Sequence, residues 1–243
     1  MVAVKVLTTL KSNVMVQKVG AFVLILMALS VIVAGMYVPY AVPYVLTILL
    51  LLVAGLWTYK ALYELGADNV RGQFYLTMAI AFLFQGVGFA FTRIDGVITL
   101  SLIGVITYVL ARFFFFVANA RYIFYFQSLG YRLTVSRAVV VVAITLLLTV
   151  FTFFIPNVPG IFLTLSPYVV FILLDVGMVF IVLYNLLLLW GSEIAKKWAI
   201  GSVVIASFLM GDAFFIGGAS PWISVGFWTL ASILMGIIAT IRG

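Results

Sequence analysis

The chain has no cysteine and no histidine, and it holds six carboxylates against 13 lysines and arginines. Without cysteine there are no disulfides and no thiol chemistry. Without histidine as well, ordinary zinc and copper sites and most haem ligation drop out. No cofactor and no metal are expected. Charged residues of both signs make up only 8% of the 243 residues, too few to cover the surface of a soluble domain of this size. Hydrophobic residues make up 67%. They run in stretches of about 20, the length that crosses a bilayer's hydrocarbon core. The expectation is an all-α integral membrane protein with lipid as its main solvent.

Eight such runs are present, near 19–38, 43–63, 74–92, 97–118, 135–155, 161–186, 198–217 and 222–241. Proline-containing segments separate the first from the second ("VPYAVPY", 38–44) and the fifth from the sixth ("IPNVPG", 155–160). Proline disfavours helix continuation at such points. "TRIDG" (92–96) parts the third from the fourth and "GGASP" (217–221) the seventh from the eighth. Residues 1–18 carry Lys5, Lys11 and Lys18 and form a basic leader. The apolar run after it is too long for a signal peptide, so 19–243 is one transmembrane domain with the leader on the membrane surface. A seven-span reading, with the leader and first run misassigned, is the alternative.

With eight spans both termini lie on one side. That side collects Lys5, Lys11, Lys18, Lys60, Arg71, Arg121, Arg132, Arg137, Lys196, Lys197 and Arg242. The other side has Arg93, and Arg112 falls inside a span. The bias places both termini in the cytoplasm, in the cell membrane. It also accounts for the net charge of +7 without nucleic acid. Anionic lipids at the cytoplasmic face are the expected neighbours of the aromatic-basic stretch "RYIFYFQ" (121–127). A homo-oligomer or a membrane-complex partner is compatible with the chain.

A shift of 125 residues lays 59–89 on 184–214 without a gap. Tyr59 then meets Tyr184, Gly66 meets Gly191, Asp68 meets Glu193 and Arg71 meets Lys196. This suggests repeats over 19–127 and 135–241. Four spans each would make them parallel, related by an axis along the membrane normal.

Polar residues inside the spans carry whatever chemistry exists. A charge at the bilayer centre costs at least about 2.5–3.5 kcal/mol, so it normally faces protein and has a partner. Asp175 in "FILLDVGMVF" and Arg112 in "VLARFFFF" fall at similar depth and are expected to pair. Asp212, in "LMGDAFF", lies farther out. Steps of four, seven and eleven keep one helix face. Ser101, Tyr108, Arg112 and Asn119 share such a face, as do Thr164, Tyr168 and Asp175. Gln85 and Asn185 are uncharged companions. Gly201, Gly211, Gly217 and Gly218 point to close helix approach.

The chain lacks phosphate-binding loops, paired neighbouring carboxylates and a mid-span lysine for a Schiff base, so no enzyme is indicated. Two readings remain. One is a transporter or channel subunit for an ion, a proton or a small solute, using the embedded Asp and Arg. The other is a sensor, scaffold or accessory subunit of a larger membrane complex.

Overall fold

The computed structural model describes the backbone of residues 2–94, 98–155, 158–163, 168–218 and 220–240. It describes the side chains of 18–92, 101–155, 158–160, 168–218 and 220–240. Thr164, Asp95 and Arg242 therefore lie outside the described residues, as do the side chains of Lys5, Lys11 and Arg93.

Among the described residues the chain is all-α, apart from one small hairpin. The helices are α1 (Val2–Tyr37), α2 (Val42–Tyr59), α3 (Val70–Ala90), α4 (Leu102–Ser128), α5 (Val135–Phe153), α6 (Val158–Leu163), α7 (Val169–Leu188), α8 (Glu193–Ile216) and α9 (Pro221–Thr240). All but the six-residue α6 belong to segments long and apolar enough to cross a membrane, which makes eight. α1 continues unbroken through residue 18, where the leader was expected to end.

Two span boundaries differ from the sequence expectation. The fourth span starts at Leu102 rather than 97, because Thr92–Ile94 (β1) pairs antiparallel with Ile98–Leu100 (β2). These strands are rich in β-branched residues, which favour extended backbone. Ser101 then starts α4 by accepting a hydrogen bond from the Gly104 amide at 3.1 Å, an N-cap. The sixth span starts at Val169, with α6 as a separate turn and a half before it.

Six helices close a ring: α2 packs on α3, α3 on α4, α4 on α7, α7 on α8, α8 on α9, and α9 on α2. α1 lies outside against α2 and α9, and α5 outside against α7. Burial agrees, since only 11% of the α1 span and 17% of α5 are inside the chain, against 44–56% for the six ring segments. The outer pair thus presents mostly apolar surface outward, as lipid contact requires.

Hydrogen bonds gather the basic residues at one end of the ring. Lys60, just past α2, donates to the Ala239 carbonyl near the end of α9 at 2.8 Å. Arg121 on α4 donates to Gln73 on α3 at 2.6 Å, and Arg137 on α5 to the Leu187 carbonyl at the end of α7 at 3.0 Å. Cations on C-terminal carbonyls also complement the helix dipole. At this basic end the α2–α3 and α7–α8 turns each use a glycine with left-handed backbone, Gly66 (φ 80°) and Gly191 (φ 92°).

Candidate functional site

α3, α4, α7 and α8 each show a seven-residue beat toward the ring axis, the period of closely packed left-handed bundles. On α3 it places Tyr75, Phe82 and Phe89 in the core, and on α4 Tyr108, Phe115 and Tyr122. On α8 it places Trp198, Ile205 and Asp212. Seven residues advance about 10 Å along a helix, so these side chains stack in successive layers.

The central layer is charged. Arg112 from α4 is fully buried and donates in three directions. Its Nε bonds Asp175 Oδ1 on α7 at 3.1 Å, and its Nη2 bonds Asp212 Oδ2 on α8 at 2.6 Å. Its Nη1 bonds the Gln85 side-chain oxygen on α3. The guanidinium also lies 5.2 Å from the Tyr108 ring centroid and 5.1 Å from that of Phe208, within cation–π range. The ring helix α9 adds Trp228, whose Nε1 donates to Asp212 Oδ1 at 2.7 Å. Five helices thus meet at one charged cluster.

The expected Arg112–Asp175 pair is present, and the structure adds Asp212 and Gln85 to it. Trp228 reaches Asp212 because Gly211 lets α9 approach. A Cβ at Gly211 would sit 2.6 Å from Trp228 Cδ1. One guanidinium faces two carboxyl groups, which leaves a net charge of −1 when both are ionised. Asp175 Oδ2 is buried and has no donor among the described residues. Two ionised carboxylates on one guanidinium repel each other unless a proton or another cation lies near them.

Aromatic layers flank it. Toward the basic end, Phe115 packs edge-on against Phe82 (5.1 Å between centroids) and beside Phe208 (6.1 Å). On the far side, Tyr108 packs with Phe89 (5.4 Å), Phe171 (5.9 Å) and Trp228 (6.4 Å). Tyr168, half-buried at the start of α7, extends this layer through Phe171 and Phe215, each at 5.9 Å.

Asn119 and Asn185 form a separate polar step nearer the basic end. Asn119 Nδ2 donates to the Phe115 carbonyl at 2.6 Å, and Asn185 Nδ2 to the Asn119 carbonyl at 3.4 Å. Ser101, by contrast, is exposed and serves as the α4 cap. Of the glycines singled out by sequence, Gly211 makes the close approach. Gly201 has only an ordinary contact with Val182, and Gly218 turns the chain with φ 67°.

Between the Phe115 layer and the basic end lies a chamber of about 50 Å³, lined by residues of all six ring helices, among them Trp57, Tyr75, Asn119, Tyr122, Val182, Trp198 and Met235. It adjoins a wider vestibule of about 400 Å³ bordered by Lys60, Glu64, Arg71, Glu193, Lys196 and Lys197. Tyr75, Tyr122, Ile194 and Lys197 line both. The sequence reading missed this chamber and Trp228. The heptad spacing of aromatics on α3 and α4 was the available signal.

Comparison with known proteins finds no matching family model, no matching curated relative and no matching solved structure. Geometry alone carries the functional reading.

Proposed function

We propose that the chain is a small transporter subunit in which the Arg112–Asp175–Asp212 cluster binds a proton or a monovalent cation. The observation that carries the proposal is the charge balance: two buried carboxyl groups on one buried guanidinium, with Asp175 Oδ2 left without a donor among the described residues. A structural lock can stand on one carboxylate per arginine. The second adds desolvation without a protein cation to match it.

The layering supports the same reading. The vestibule and chamber open toward the basic end, while aromatic layers close the cluster on both sides. Such a conformer suits one state of an alternating-access cycle. Opening the Phe82–Phe115–Phe208 layer would admit the ion from the basic end, and opening the Tyr108 layer would release it at the other. Under the positive-inside orientation the basic end is cytoplasmic, and both termini lie there.

An internal two-fold repeat accords with the ring. The contact of α4 with α7 has its counterpart in that of α9 with α2. The helix starts suggest an offset of 123 beyond the turn, since Asn69 caps α3 and Ser192 occupies the same position on α8. In each half a glycine of the third helix on this offset lies against an aromatic side chain of the fourth, Gly88 against Tyr108 and Gly211 against Trp228.

The test is flux. Purified protein in liposomes is given imposed gradients of protons, sodium and potassium, with empty liposomes as the control. Flux of one ion above the control supports the proposal. Flux of none, with protein shown to be folded, removes it.

A further inference from the structure

The chamber beneath the charge cluster has features that ion passage alone does not require. Its wall is aromatic. Trp57 packs on Tyr75 at 4.4 Å between centroids, and Tyr122 on Trp198 at 5.4 Å. Its boundary with the vestibule is cationic, because Lys197 lines both spaces. Lys197 is half-buried and makes no hydrogen bond or ion pair among the described residues. Its neighbour Lys196 instead points to solvent and pairs with Glu193 at 2.8 Å. Asn119 offers the wall's side-chain amide on the opposite side from the mouth.

An ammonium at the rim of an aromatic chamber is matched by an anionic head with an apolar body. The sizes narrow the choice. A chamber of about 50 Å³ is roughly a third of an engineered cavity that holds benzene, so it takes a short acyl chain or the edge of a ring. The vestibule, at about 400 Å³, takes the remainder. The chamber shares Tyr75, Tyr122, Ile194 and Lys197 with the vestibule, so the two spaces adjoin at that wall.

We propose that this chamber is a binding site for a small amphipathic monocarboxylate, with its carboxylate on Lys197 and its apolar body between Trp57, Tyr75, Tyr122 and Trp198. The site stands on its own lining and does not depend on the cluster moving an ion.

The experiment is a titration of purified protein with benzoate, followed by isothermal calorimetry and tryptophan fluorescence. Benzyl alcohol and sulfate are the comparison ligands, one without the charge and one without the apolar body. Benzoate is expected to bind and to change the fluorescence, with both comparison ligands much weaker. Lys197→Gln should weaken benzoate by about tenfold, the loss of one charge-assisted contact, while Arg132→Gln, at an exposed position outside both linings, leaves it unchanged. Trp198→Phe should reduce the fluorescence response. Repeating the titration in nanodiscs with and without phosphatidylglycerol separates a lipid headgroup from a soluble ligand. Equal binding in both supports the soluble carboxylate, and binding abolished by the anionic lipid assigns the site to lipid and overturns the proposal. Sulfate binding as tightly as benzoate, no benzoate binding to folded protein, or equal loss in the Arg132 and Lys197 variants would each overturn it as well.

Discussion

At the residue scale, Arg112 and its two carboxyl partners are not equivalent, and their substitutions should separate. Arg112→Gln leaves Asp175 and Asp212 buried without a cation, a loss expected to cost about 3–5 kcal/mol. Asp175→Asn or Asp212→Asn leaves one carboxylate on one guanidinium, so each should cost less. Adding Asp175→Asn to Arg112→Gln should recover part of the loss, because the contacts are coupled rather than additive. Thermal unfolding in detergent of the four proteins checks both orderings. Additive effects would show that the observed contacts carry no coupling. The pairing of Arg112 with Asp175 was legible in the sequence because embedded charges need partners and these two share a depth. The inclusion of Asp212 was not legible. Its hydrogen bond with Trp228 depends on Gly211 letting α9 approach, a contact between residues whose spacing carries no helical signal across a turn.

At the scale of the element, the helices were legible as apolar runs, and their ends less so. Hydropathy does not separate an apolar β-hairpin from an apolar helix start, so Ile98–Leu100 reads as span until the Ser101 cap is recognised. Close packing gives this scale its own test. Gly211→Ala places a methyl against the Trp228 indole and should cost about 1–3 kcal/mol by overpacking. It should also weaken the Trp228–Asp212 hydrogen bond, visible as a shift in tryptophan emission. Gly226 on α9 is the control, since a Cβ there meets nothing within 4 Å and the position is exposed. Gly226→Ala should change the unfolding temperature little. Equal destabilisation by the two would show that the indole contact does not set the loss, since helix propensity alone favours alanine over glycine.

For the whole molecule, the ring order could not be read from the sequence. Charge bias sorts the loops into two sides, but it does not say which helices touch. The absence of native cysteine makes the sides directly testable. Cysteines at Ala67 and Gly191 should react with an impermeant reagent from the cytoplasm, and those at Ile94 and Ser220 from outside. Reaction of Ala67 and Ile94 from the same side would contradict eight spans. The two-fold repeat has a separate check in an experimental structure, where α1–α4 should superpose on α5 and α7–α9 by rotation near 180° about the membrane normal. Inverted halves would remove it.

The central claim is that the buried cluster binds the transported charge rather than only locking the helices together. The most direct measurement is flux by the triple variant Arg112→Gln, Asp175→Asn, Asp212→Asn, reconstituted beside wild type after thermal unfolding has shown that it is folded. The variant removes every charge of the cluster together, so no buried ion is left stranded. The account expects it to unfold near the wild-type temperature and to move the wild-type ion no faster than empty liposomes do. A folded triple variant with wild-type flux would contradict the account, because the cluster would then hold the bundle together and nothing more.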